Sequence, residues 1–140
     1  MITALLILAG SVVLGTIAHE LSHAAALRAF GVSCELRWLP DRGPTGSLRM
    51  GIRGRWAMVT YRERSRDLAP WKLRVASMMP FSLAIPVFAV GLGVGWLGAI
   101  EQSLPITLGL LGWLACAIPS PDDFSIFWYP EQSIAATTRE

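Results

Sequence analysis

Residues 2–23 read ITALLILAGSVVLGTIAHELSH, an uncharged apolar run that ends in His19, Glu20 and His23. With the helix-forming Ala24-Ala25-Ala26 behind it, the run makes a helix of about 20 or more residues, enough to cross a hydrocarbon core of ~30 Å. Residues i and i+4 of a helix stand one above the other, so His19 and His23 can each offer a ring nitrogen to one tetrahedral zinc ion. Glu20 lies about 100° round the same turn. Its carboxylate can reach the water that such a site activates without being a ligand itself, which is the position of a general base. On a soluble helix these five residues would be a modest signal. In hydrocarbon each unpaired ionisable group costs roughly 2.5 kcal/mol or more, so three within five residues point to a metal site. Both histidines of the chain are in the motif.

The rest of the composition agrees with a membrane setting. Of 140 residues, 53% are hydrophobic and 16% charged, leaving too little polar surface for a soluble domain of this size. The expected fold class is an α-helical membrane protein, one domain over residues 1–140, with spans at about 2–29, 75–100 and 104–120 and a connection over 31–74. The first run lacks a basic leading segment and bears the motif at its far end, so it reads as a retained span and not as a signal peptide. Eleven of the twelve Lys and Arg residues fall between Arg28 and Arg74, and the other is Arg139. By the positive-inside bias the connection and the tail are cytoplasmic, in a multi-pass protein of the cell membrane.

Spans one and three then run in the same direction. Ile2 to His19 and Leu104 to Asp122 each cover about 26 Å at 1.5 Å per residue, so their far ends reach one depth near the cytoplasmic edge. A catalytic zinc takes three protein ligands and keeps one position open. The third must come from another span; Cys116 is about a turn too shallow and Glu101 is on the opposite side. Asp122 and Asp123 both qualify on depth, and spacing does not choose between them. Ile118-Pro119-Ser120-Pro121 ahead of them reads as a broken helix whose freed carbonyls must be buried in protein or face water. Ser120-Pro121-Asp122-Asp123 is also a good helix start, with Ser120 as N-cap, so one aspartate can cap while its neighbour ligates.

On these residues the chain resembles the site-2 protease family of intramembrane zinc metalloproteases. That family has H-E-x-x-H on its first core membrane helix and a zinc-ligating Asp near prolines on the third. His19, Glu20 and His23 match the first motif, and Pro121 with Asp122 or Asp123 the second. Family members carry Gly after the Asp and an Asn upstream; here Asp123 or Phe124 follows, the chain has no Asn, and Ser120 is the polar residue available in its place. The resemblance implies a minimal three-helix core holding one Zn²⁺, with Glu20 as catalytic base. Its substrate would be a membrane-spanning or membrane-proximal segment of another membrane protein, cut near the cytoplasmic face. The other reading is a metal-binding membrane protein, either a zinc transporter or an inactive relative that binds membrane segments. A transporter would want polar residues along spans two and three, which carry almost none.

Within the connection, residues 34–38, 48–53 and 56–61 alternate or favour β structure, which predicts three short strands joined by turns at 40–44 and at Gly54-Arg55. Strands at the membrane edge can hold an extended substrate, as relatives are thought to do, or lay arginines on headgroups. Residues 62–74 read as a juxtamembrane anchor to the lipid bilayer and not as a nucleic-acid site. Residues 93–98 match G-x-G-x-x-G but lie in an apolar span, so no dinucleotide site is expected. Ser11 with Gly15, and Gly91 with Gly95, read as small-residue helix contacts. Cys34 and Cys116 sit in different environments, predicting no disulfide. The tail after Pro130 reads as poorly ordered, and nothing in the sequence sets an oligomeric state.

Overall fold

The computed structural model describes residues 1–38, 57–61, 69–94 and 103–137. Three of its helices are long and apolar enough to cross a membrane: Ile2–Ala29, Pro70–Ala89 and Leu104–Trp128. The first is α1, Ile2–Ala29. It ends in a Schellman turn: Gly31 takes φ +74°, its N–H bonds the Arg28 carbonyl at 3.0 Å, and the Val32 N–H bonds the Leu27 carbonyl at 2.9 Å. Glycine is required there because a Cβ disfavours that left-handed backbone. The turn delivers the chain into β1, Cys34–Trp38, which pairs antiparallel with β2, Ala57–Tyr61, Cys34 opposite Tyr61 and Trp38 opposite Ala57. These are the outer two of the three expected strands; the middle one and both turns lie outside the described residues.

The second span starts earlier than its hydropathy suggests. Helix α2 covers Pro70–Met78, so Trp71, Lys72 and Arg74 are continuous with the span. Lys72 Nζ donates to the Phe30 carbonyl at 3.1 Å, closing the C-terminal end of α1, and Trp71 packs edge-on to Phe30 with ring centroids 5.1 Å apart. The span then tightens into a 3-10 segment, Met79–Leu83, before continuing as α3, Ala84–Val94. Pro80 explains the change, since it cannot donate to the i−4 carbonyl of an α-helix.

The third span is also broken. Helix α4, Leu104–Ala117, stops where Ile118, ahead of Pro119, turns extended at ψ 126°. Helix α5, Pro121–Trp128, restarts three residues on and carries the span past the expected end at residue 120. Where the sequence predicts a poorly ordered tail, the described residues form α6, Pro130–Thr137, with Pro130 buried and Ile134 against the core. That core is small, built from Ala26, Leu27, Val32, Leu73 and Ala76, with Phe30, Cys34, Val59 and Ile126 around it. It sits at the C-terminal end of α1, while Leu5, Leu6, Val13 and Leu14 are exposed along the rest of that helix, as a lipid-facing surface would be.

Helices α1 and α4 lie parallel and close. A Cβ on Gly109 would meet Ile7, one on Gly112 would meet Leu8, and one on Gly15 would come within 2.8 Å of the Cys116 Cβ. Contacts that advance together along both helices fix the parallel direction expected from the sequence, and Ser11 with Gly15 is the small-residue face it indicates. Trp113 Nε1 donates to the Leu83 carbonyl at 2.9 Å, tying α4 to the 3-10 segment. Gly15→Val should therefore destabilise the bundle by about 1–3 kcal/mol through overpacking. Gly10→Val, where a Cβ meets nothing within 4 Å, should change it by less than about 0.5 kcal/mol. Unfolding of the two variants in detergent micelles measures the difference.

Candidate metal centre

His23 and Asp123 are buried, each 8% exposed, and His19 is half-buried beside them. His19 Nε2 and His23 Nε2 are 3.2 Å apart, His19 Nε2 is 3.3 Å from Asp123 Oδ2, and His23 Nε2 is 3.1 Å from Asp123 Oδ1. Among the described residues these three form the one cluster able to hold a metal ion.

The back of each ring explains why these atoms face one another. His19 Nδ1 lies 2.7 Å from the Cys116 carbonyl and His23 Nδ1 lies 2.7 Å from the Ala76 carbonyl. A carbonyl only accepts, so both Nδ1 atoms carry the proton. In the neutral rings both Nε2 atoms are then lone-pair bearers, and they converge on a carboxylate that also only accepts. Three electron-rich groups at hydrogen-bond distance are reconciled either by a proton on one of the two Nε2 atoms, which makes an imidazolium–carboxylate pair, or by a metal ion among them. A tetrahedral ion with bonds of about 2.0–2.1 Å has ligand-to-ligand edges of about 3.3–3.4 Å, close to the separations seen. Two imidazoles and one carboxylate suit a transition-metal ion better than calcium or magnesium, which prefer all-oxygen sets.

Each anchoring carbonyl lies where a proline interrupts a helix. The α-helical donor to Ala76 would be residue 80, which is Pro80; Met79 N–H reaches that carbonyl from i+3, and its remaining lone pair receives His23. The donors to Cys116 would be residues 119 and 120. Pro119 has no N–H, and the Ser120 N–H turns instead to Asp123 Oδ2 at 2.7 Å. The sequence draws attention to Pro119 and Pro121; the part played by Pro80 is readable only by asking which carbonyl a proline frees four residues back.

Of the two aspartates, Asp123 is the one brought to the histidines. Asp122 is exposed and outside the cluster, because neighbouring helix positions point about 100° apart. Nor do the two residues divide capping and ligation between them. Asp123 sits at N3 of α5 and completes a capping box: its N–H bonds Ser120 Oγ at 3.2 Å, and its Oδ2 accepts from the Ser120 N–H and Oγ–H, both at 2.7 Å. One carboxylate thus caps the helix and faces both rings.

Glu20 is half-buried and feels the charges of His19, His23 and Asp123, yet it makes none of the hydrogen bonds that hold those three. Ser22 Oγ is satisfied locally by the His19 carbonyl at 2.6 Å. Cys116 lends its carbonyl and not its thiol, which lies against Thr16 Oγ1 and the Val12 carbonyl. Both cysteines are free, as the sequence predicts. Glu101 lies outside the described residues.

These contacts separate close neighbours. Asp123→Asn should lower affinity for Co²⁺, a spectroscopic probe of such sites, by more than about 100-fold, beyond the loss typical of an outer-shell partner. Asp122→Asn should leave it unchanged, and so should Cys116→Ala, which keeps the carbonyl. Visible-absorption titration of each variant checks all three. Comparison with known protein families, with curated proteins and with solved structures finds no match, so the chemistry of this cluster stands as the guide to what the chain does.

Proposed function

We propose that the chain is a zinc-dependent intramembrane endopeptidase of the site-2 protease type, cutting membrane-spanning or membrane-proximal segments near the cytoplasmic face. The observation that carries this reading is the convergence of His19, His23 and Asp123, with Glu20 on the same helix turn, at one end of a bundle of membrane-crossing length. A three-ligand set leaves a position open for chemistry, and among metals that favour imidazole, zinc does hydrolysis without redox side reactions. When bound, the ion supplies an acidified water and a positive charge for the oxygen of the scissile carbonyl.

The remaining work falls to the protein. The Cys116 and Ala76 carbonyls hold both rings with Nε2 forward, and Ser120 holds the Asp123 carboxylate, so little reorganises during the reaction. Glu20 takes one proton from the water as its oxygen bonds to the carbonyl carbon, then gives that proton to the amine nitrogen as the C–N bond breaks. The products are one new carboxylate and one new amine. A helical substrate hides its carbonyls in its own hydrogen bonds, so it must unwind locally. Strand β1 begins close by, with Cys34 Sγ 3.6 Å from the carbonyl of Ala24, the residue after His23, and the β1–β2 pair offers an edge on which an extended segment can lie. The clustering of arginines between residues 28 and 74 supports a cytoplasmic position for this end.

Glu20→Gln should cut cleavage of a reporter transmembrane peptide by about 10²–10⁴-fold while zinc content stays at one per chain. His23→Ala should lose both. Zinc content by mass spectrometry and peptide cleavage in proteoliposomes give the two readouts. Parental cleavage by Glu20→Gln would overturn the assigned base; stoichiometric zinc in a parent protein that cleaves no peptide would favour a membrane-segment binder.

A further inference from the structure

A second feature lies on the outer face of the second span. Arg74, Met78, Met79, Ser82, Ile85 and Phe127 line a groove of about 450 Å³. Its walls are almost wholly apolar, and its one cation, Arg74, is near the end of α2 that starts at the level of the metal centre, since Ala76 two residues on touches His23. From there the groove follows α2 and the 3-10 segment toward α3, into the bundle's depth.

Dimensions select the occupant. Arg74 to Ile85 spans about 17 Å at helical rises of about 1.5–2.0 Å per residue, close to the ~15 Å depth of one leaflet's hydrocarbon. That length and the almost wholly apolar lining suit a hydrocarbon chain laid along the groove. Met78 and Met79 give the walls the adaptable, polarisable surface that a disordered chain requires.

The charge at the mouth selects the headgroup. Arg74 is largely exposed, and its one acidic neighbour among the described residues, Glu131, is 3.8 Å away and more exposed still, a pairing too weak to occupy the guanidinium. Lys72, the other cation of α2, is already spent on the Phe30 carbonyl. A guanidinium held among the described residues only by that exposed pairing has donors to offer in parallel, which matches a phosphate.

We propose that this groove seats one acyl chain of an anionic phospholipid from the leaflet on the metal-centre side, with its phosphate on Arg74. The site is independent of the proteolytic reading, although it adjoins the centre: one wall, α2, carries the Ala76 carbonyl that orients His23, and Phe127 on the other stands one turn past Asp123. The lipid bears on both elements at once.

The test is native mass spectrometry of the full chain released from micelles containing equal amounts of phosphatidylglycerol and phosphatidylcholine with matched chains. One phosphatidylglycerol should be retained per protein, preferred about fivefold. Arg74→Gln should erase the preference and Arg74→Lys, which keeps the charge without the paired donors, should retain only part of it. Ser82→Trp and Ile85→Trp, which fill the groove at two depths, should each remove the retained lipid; a variant that still binds Co²⁺ is folded and counts. Equal retention of the two lipids by the parent, or undiminished retention in both tryptophan variants, would overturn the proposal.

Discussion

Every main-chain carbonyl inside a hydrocarbon slab needs a donor, and two prolines in this chain take donors away. Pro80 leaves the Ala76 carbonyl with the Met79 N–H alone in place of its α-helical donor, and the helix break at Pro119 turns the Ser120 N–H away from the Cys116 carbonyl toward Asp123. An unpaired carbonyl at that depth would cost about 1–3 kcal/mol. The protein meets both needs from one helix, α1, using imidazole N–H groups. This pins α1 to two different spans at the same level. It also settles which nitrogen of each ring faces forward, so the conditions for a stable bundle and for a metal centre are met by the same two bonds.

Asp123 shows the same economy. A carboxylate at depth is expensive to leave alone, but at the first turn of α5 it receives two bonds from Ser120 and sits at the positive end of a helix dipole. Its two oxygens still face the histidines, because Ser120 approaches Oδ2 from the helix side. The close contacts of Gly15, Gly109 and Gly112 hold α1 and α4 near enough for this reach. A side chain on any of the three would push the helices apart and open the cluster from a distance.

How much of this was legible in the sequence depends on which interaction sets each feature. The first helix is plain, since an uncharged apolar run of that length is long and apolar enough to cross a membrane. The motif is plain too, because two histidines four apart on a helix share a face whatever surrounds them. Asp122 and Asp123 are found by depth, yet the choice between them depends on rotation through the break at Ile118 to Ser120, where ψ values of 126° and 164° set the phase of the new helix. No periodicity encodes that. The start of the second span was hidden by Lys72 and Arg74, which look like an end to the hydrocarbon although Lys72 is taken up by the end of α1. Helix α6 was missed because Pro130 and Ile134 attach it to surroundings that exist only once α1, α2 and α5 have met.

The anchoring of the histidines by backbone has a consequence for how such a chain can drift in sequence. Residues 76 and 116 touch the two rings through atoms every amino acid possesses, so what their side chains must satisfy is packing: Ala76 lies in the core and Cys116 against Gly15. Selection on the anchoring oxygens acts through residues that touch neither ring: Pro80 and Pro119, which interrupt the helices beside them, and Gly15, which keeps the helices close. In a lineage of such proteins, prolines and a glycine with no polar atom in the site would be held behind the cluster, while positions 76 and 116 would accept any side chain small enough for its place.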